Sequence, residues 1–152
     1  MIRAATPDDI TGMIALARTV LEKSPVLPPM NEPKARRLAY QAIASARMCA
    51  FVAEHGGKVV GFLLGTTDDY WWGDAQYASD IAFICHPNHG NYAPGLIRKL
   101  EKWAAQFPKV IDVTLAISSG LDTDGRAGRM YQNCGYAPVG GMFVKKLPEK
   151  KP

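Results

Sequence analysis

The groups most able to do chemistry sit together in CHPNHGNYAPG, from Cys85 to Gly95. Two chemistries compete for this stretch. His86 and His89 are three apart and invite a metal ion. In an extended segment, however, positions three apart point to opposite sides, Pro87 restricts the rotation between them, and no nearby Cys or His completes a tetrahedral set. His55, the remaining histidine, falls in a hairpin turn, so no metal is expected. The second chemistry uses the backbone. The residues Gly90, Asn91, Tyr92, Ala93 and Gly95 lead into the apolar-periodic run LIRKLEKWAA. Amide groups at a helix start, reinforced by the helix dipole, attract anions such as phosphate. Asn91, Ala93 and Gly95 have short side chains that let an anion approach the backbone, and Pro94 suits a first helical turn because its missing N–H would have no partner there. Strand-to-helix connections also carry Gly and Pro for turn reasons alone, so the loop by itself leaves both readings open.

Two further features carry reactive or recognition groups. In DDYWW, Asp68, Asp69, Tyr70, Trp71 and Trp72 combine carboxylates with large aromatics, a set suited to a cationic amine through charge pairing and cation–π contact. The alternative is structural, with one tryptophan plugging the core or an interface. Asp80 interrupts the apolar run YASDIAFIC, where burial would raise its pKa toward a useful range. Its plainer reading is a hydrogen-bonded or edge-exposed carboxylate. Cys134 lies beside a helix-ending glycine with no adjacent histidine, so it is not read as a nucleophile. With only 3 cysteines, widely separated, the chain is expected to hold reduced thiols rather than a disulfide framework.

The elements that position these groups follow from local chemistry. Ile2 to Ala5 reads as a strand, and TPDD then starts a helix, with Thr6 as N-cap, Pro7 in the first turn and Asp8 and Asp9 at the positive end of the dipole. Ile10, Met13, Ile14, Ala17, Val20 and Leu21 recur at helical spacing. The proline-rich SPVLPPMNEP is a loop, and KARRLAYQAIASA a second helix. MCAFVAE and VVGFLLGTT pair as a hairpin through HGGK, YASDIAFIC is a third strand, and GLIRKLEKWAAQF an amphipathic helix. VIDVTLAI is a strand, RAGRMYQNC a short helix ended by Gly135, and YAPVGGMFVKKL a last strand or hairpin. The order β, α, α, three strands, α, β, α, β implies a mixed sheet with helices on its faces.

At 152 residues and 47% hydrophobic content, one domain is expected over 1–147, with 148–152 as a flexible basic tail. The net charge of +4 owes much to that tail, and no basic stripe interleaved with aromatics suggests nucleic acid. No apolar run approaches the roughly 20 residues of a membrane span, and the start lacks a signal-peptide pattern, so a cytoplasmic protein is expected.

Four stretches together resemble the GNAT superfamily of acyl-CoA-dependent N-acyltransferases. They are MIRAATPDDITGMIALA, FVAEHGGKVVGFLLG, DIAFICHPNHGNYAPGLIRKLEKWA and RAGRMYQNCGYAPVGGMFVKKL. The most specific match is Tyr131 with Gly135 and Tyr136, similar to the family's Tyr-x-x-x-Gly-aromatic signature. The resemblance implies an α/β fold with a mostly antiparallel mixed sheet of about 6–7 strands and about 4 helices. It also implies acetyl-CoA as donor, with pantetheine between the IAFIC and VTLAI strands and pyrophosphate on the amides from Gly90 to Gly95. The backbone of Ile84 and Cys85 would hold the pantetheine amides, and Asp124 stands where a cofactor-contacting Asn is frequent, its ordinary alternative being a turn residue or helix cap. Tyr131 matches the family's general acid, and Asp80 is the candidate base near the acceptor. The loop departs from the family's pattern: in neither register does a basic or amide residue precede two small partners.

The reading that follows is an N-acetyltransferase moving an acetyl group from acetyl-CoA to a primary amine of a small molecule or a protein, by direct attack in a ternary complex. The alternative is a non-catalytic module of the same fold with weak or lost CoA binding. A homodimer is common in the family. Neither nucleic acid nor membrane is an expected partner.

Overall fold

In this computed structural model, which describes residues 1–151, the chain begins with β1 (Ile2–Ala4) and a 3-10 turn at Pro7–Asp9. Asp9 reaches back to accept the Thr6 N–H at 2.8 Å, which closes the start of the first helix. Helix α1 (Ile10–Leu21) buries Ile10, Met13, Ile14 and Ala17 of the expected stripe together with Leu16, while Val20 and Leu21 are half-buried. Helix α2 (Glu32–Ala44) begins at Asn31, whose side chain accepts from the Lys34 N–H at 3.1 Å. Arg3 ties the strand and helix starts together: its guanidinium makes two bonds to Asp9, at 2.7 and 2.9 Å, and a third to Glu54 at 3.1 Å.

Strands β2 (Met48–His55), β3 (Lys58–Asp69), β4 (Gln76–Cys85) and β5 (Val110–Thr114) complete one sheet in the order β1-β2-β3-β4-β5. The first four are antiparallel, and β4–β5 is parallel, joined by the crossover helix α3 (Ala93–Ala104). Helix α4 (Arg126–Asn133) follows β5. Helices α1 and α2 cover one face, around Met13, Val52, Phe62 and Ile84. Helix α3 covers the other, with Leu96 and Leu100 packed on Leu63, Cys49 and Phe83. No helix among the described residues is long and apolar enough to cross a membrane.

The mixed, mostly antiparallel sheet with four helices matches the expected fold class, with one correction. The sheet has five strands rather than six or seven, because 137–151 carry no regular structure. Pro138 removes a backbone donor, Gly140 and Gly141 raise the entropy cost of an extended run, and among the described residues no strand pairs with this segment. Of the expected tail, 148–151 lie exposed without regular structure and Pro152 falls outside the described residues.

Helix α3 approaches the sheet closely at Gly65, where an added Cβ would meet Leu100 Cδ1 at 2.7 Å and Cys49 Sγ at 2.8 Å. Gly65→Ala is therefore expected to destabilise the fold by about 1–3 kcal/mol, read as a lower urea midpoint. Gly90→Ala, where the added carbon meets nothing within 4 Å, serves as the neutral control.

Candidate active site

The parallel ladder between β4 and β5 ends at Ser79 and Thr114, although β4 continues to Cys85. Past that point the strands part, and the β5-facing edge of β4 has no strand partner. At the parting, Asp80 and Tyr131 grip one residue, Ala116, through its two flanking peptide groups. The Ala116 N–H donates to Asp80 Oδ1 at 3.1 Å, and the Tyr131 hydroxyl donates to the Ala116 carbonyl at 3.1 Å. The two residues singled out for catalysis, far apart in sequence, are thus brought together.

A β-bulge makes that meeting possible. Leu64 pairs with Ala82 and Gly65 with Asp80, which leaves Ile81 as the extra residue. Asp80 and Phe83 are three apart and would face opposite ways in a regular strand. The bulge restores the phase, so Asp80, Phe83 and Cys85 share the α3 face opposite Gly65, Leu63 and Gly61. Tyr131 then stacks on Phe83, ring centroids 6.4 Å apart and planes 20° from parallel. Ile84 turns its side chain into the opposite core, so only its backbone faces the opening.

Burial sets the protonation of both groups. It raises the Asp80 pKa above the ordinary aspartate value, partly offset by the hydrogen bond from Ala116. It also pushes the Tyr131 phenol well above its usual range, helped by the charges of Asp80, Asp122 and Cys85, so Tyr131 stays protonated at any physiological pH. The Cys85 thiol is driven up to about 11 by burial and is held as a thiol, not a nucleophile.

The loop after β4 is more ordered than its sequence suggests. Residues Pro87–Tyr92 form 3-10 turns, broken at His89, ahead of α3. Some amides are spent inside the loop: Asn88 N–H on His86 Nδ1, His89 N–H on the His86 carbonyl, and Ala93 N–H on the Gly90 carbonyl. Tyr92, which precedes α3, gives the helix start no side-chain cap. Gly95 is small for a packing reason, since a Cβ there would collide with Ile2 of β1. The histidines are also closer than an extended loop allows. His86 and His89 lie with centroids 5.6 Å apart, His55 is 4.9 Å from His89, and His55 Nδ1 shares a 2.8 Å hydrogen bond with the Tyr92 hydroxyl. The 3-10 turn, absent from the extended picture, swings them to one side. Among the described residues, no group of His, Cys, Asp or Glu is arranged to hold a metal.

Beside the loop, a cavity of about 610 Å³ lies between α3 and α4, lined by Pro94, Arg98, Arg126 and Arg129 among others. Neither Arg98 nor Arg129 has an ion-pair partner among the described residues. Sequence reasoning missed these arginines, although Arg126 and Arg129 are one helical turn apart in RAGR, a spacing that puts both on one face. Asp124 accepts from the Arg126 N–H at 3.2 Å and so closes the turn before α4.

The aromatic turn is divided by the fold. The Tyr70 hydroxyl donates to Asp112 Oδ2 at 2.7 Å, and Tyr70 lines a second cavity, of about 850 Å³, together with Tyr131. Asp69 accepts from Gln76 Nε2 at 2.8 Å. Trp71 and Trp72 pack edge to face on each other but are 90% and 82% exposed, outside that cavity.

Comparison with known proteins places this sheet in an acetyl-transfer enzyme. The model of the acetyltransferase (GNAT) family matches residues 17–136, and the chain belongs to that family. No curated protein matches it in sequence. Among solved structures it resembles the aminoglycoside 6'-N-acetyltransferase AAC(6')-Ih from Acinetobacter baumannii, at 16% identity and TM-score 0.72, covering 99% of each chain. It also resembles a ribosomal-protein-alanine N-acetyltransferase from Brucella melitensis biovar Abortus 2308, at 16% identity and TM-score 0.69, covering 97% of this chain and 99% of that one. A third is the aminoglycoside N-acetyltransferase AAC(6')-Iy in complex with CoA, at 12% identity and TM-score 0.71, again covering 97% and 99%.

The raised Asp80 pKa has a sign that can be measured. As pH falls from neutral through that raised value, folded Asp80 takes up its proton before the unfolded chain does, so its term stabilises the fold at lower pH and is lost as pH rises. Asp80→Asn removes the term. The difference in urea midpoint between wild type and Asp80→Asn is expected to move in favour of the wild type on acidification; a pH-independent difference would contradict it.

Proposed function

We propose that the protein transfers an acetyl group from acetyl-CoA to a primary amine, by direct attack in a ternary complex, and that its acceptor is a small cationic amine. The observation that carries this reading is the convergence of Asp80 and Tyr131 on the backbone N–H and carbonyl of Ala116 where β4 and β5 part. The residues present fit the donor. CoA is an elongated polyanion, and this chain offers an uncapped helix start, three arginines around the neighbouring cavity and an unpaired strand edge leading to Asp80. Acetyl-CoA supplies the thioester when bound.

In this reading the Asp80 carboxylate, kept basic by burial, accepts the proton of the incoming ammonium, through a water where aspartate is too short to reach. Backbone groups of the β4 edge near Ile84 and Cys85 hold the pantetheine amides and polarise the thioester carbonyl. Tyr131 releases Ala116 and donates its hydroxyl to the departing sulfur. A C–N bond forms, the C–S bond breaks, and one amine proton ends on sulfur. Because its pKa is high, Tyr131 recovers a proton at once and acts as a hydrogen-bond donor and relay rather than a strong acid. Asp124 stands by the arginine cavity as a further cofactor contact. Asp112, bonded to Tyr70 on the cavity wall, and the carboxylates Asp68, Asp69 and Asp74 near Tyr70 in the chain support a cationic acceptor. Relatives named for aminoglycosides support the same class, and one named for a ribosomal-protein alanine keeps a protein amino group as the other acceptor to test.

Acetyl-CoA at 100 times its dissociation constant is expected to stabilise the fold by about 2.7 kcal/mol, seen as a rise in Tm; no shift at millimolar acetyl-CoA would contradict cofactor binding. In a free-thiol release assay over a panel of amines, Tyr131→Phe is expected to lower kcat by roughly 100-fold; unchanged turnover would remove Tyr131 from the chemistry. Arg98→Gln and Arg129→Gln should each raise KM for acetyl-CoA several-fold with kcat nearly unchanged.

A further inference from the structure

The turn that follows β4 hangs on an imidazole. Pro87 has no N–H and favours extended backbone in the residue before it, and His86 sits at φ −58° and ψ 138°. The first amide the turn can offer is therefore that of Asn88, and it donates to His86 Nδ1 at 3.1 Å. The His86 N–H donates to the Val60 carbonyl at 2.8 Å, which ties this residue to β3, and the His86 carbonyl accepts the His89 N–H at 2.8 Å. In most turns the side chain that accepts from the amide two residues on is Asp, Asn or Ser. An imidazole can do so only while that nitrogen carries no proton, because the charged ring is a donor at both nitrogens. The far end of the loop is held by the same kind of group. His55 Nδ1 shares a 2.8 Å hydrogen bond with the hydroxyl of Tyr92, the residue directly before α3. The His89 ring stands between the two, 4.9 Å from His55 and 5.6 Å from His86 by centroids.

We propose that His86 is a positioning residue for the cofactor loop: its unprotonated Nδ1 holds Pro87–Tyr92 in the shape that binds CoA, and a proton on that nitrogen releases the hold. This rests on the proposed function, which places the pyrophosphate on that loop. Protonation has two opposed effects. The new charge attracts phosphate, but at an open surface it is screened by water and salt. Loss of the Asn88 bond undoes the turn that aims the loop's backbone at the start of α3, where an anion meets several amides at once. The second effect prevails, so acid weakens CoA binding. The groups that face His86 from the elements around it are Asp8 and Asp9 at the start of α1, Lys58 of β3 and His89, which line one cavity of about 690 Å³ with it. Asp9 is already held by Arg3, and Asp8 and Lys58 oppose one another in sign. His89 and His55 extend the effect along the loop, since a second charged ring in this row is repelled by the first.

Two readouts on the full chain test this. In nitrogen-resolved NMR of the free protein, His86 is expected to carry its proton on Nε2 alone at about pH 8, and the Asn88 amide to lose its hydrogen bond on titration to about pH 5. In calorimetric titration with CoA over the same range, the wild type is expected to lose about 5-fold more affinity than His86→Asn. Asn at this position offers an Oδ1 that accepts the same amide and takes up no proton, so it corrects for titration of the CoA phosphates. His86→Leu, which offers no acceptor, should bind CoA weakly at both ends of the range, and kcat at saturating acetyl-CoA should be nearly the same in all three chains. A proton on His86 Nδ1 at the higher pH overturns the proposal, and so does equal pH dependence in wild type and His86→Asn. If His86→Leu lacks native circular dichroism, the ring tautomer and the Asn variant still decide. Absence of CoA binding by the wild type at every pH overturns the proposed function and the cofactor role of His86 with it, whereas binding with equal pH dependence overturns the role of His86 alone.

Discussion

Between Ser79 and Cys85 the sheet carries a constraint that shapes everything around it: β4 and β5 stop pairing while both backbones still hold donors and acceptors. Peptide groups left without partners inside a fold are costly, so each must find a side chain, a ligand or water. The chain answers at Ala116, where a carboxylate takes the N–H and a phenol serves the carbonyl. These are weak clamps compared with a ladder, and each can be given up to a ligand that offers its own peptide-like groups. An opening that is partly satisfied in this way holds its shape, and under the proposed function it is where an amide-bearing chain would enter.

The opening needs its reactive side chains on one face, and local regularity alone would not put them there. The unpaired Ile81 shifts the phase of β4 by one residue, bringing Asp80 into line with Phe83 and Cys85 beneath α3. The close approach of α3, allowed by Gly61 and Gly65, leaves Asp80, Phe83 and Cys85 half-buried on that face. Desolvation raises the pKa of both Asp80 and Tyr131, so one energetic cause acts on both of the proposed catalytic groups. The burial that makes Asp80 costly to ionise is what suits it to the proposed proton transfer.

Anion recognition follows a different physical rule. The histidine loop spends several amides on its own 3-10 turns, so it contributes less open backbone than its glycines suggest. The uncapped start of α3 and the arginines of α3 and α4 provide compensating positive potential. The loop thus departs from its family's pattern within a chain whose sequence matches the family model over residues 17–136. Helix α4 buries no residue, and it meets the rest of the fold through Tyr131 and, just past its end, Tyr136, whose hydroxyl donates to Glu101.

Features set by neighbours in the chain were legible in the sequence. The Thr6–Asp9 helix start, the apolar stripes of α1 and α3, the two-glycine hairpin after His55 and the Tyr131–Gly135 signature each depend on caps, φ preferences or a 3.6-residue period, which act over a few residues. Asp80 was legible as a carboxylate out of place in an apolar strand. The bulge that aims it, the parting of β4 from β5, the gathering of His55, His86 and His89, and the arginine cavity were not, because each depends on which distant segments pack together. The last strand shows the limit most plainly. YAPVGGMFVKKL has a strand's composition, but a strand exists only when another edge pairs with it, and within this chain the fold leaves β5 and that segment on opposite sides of an open slot.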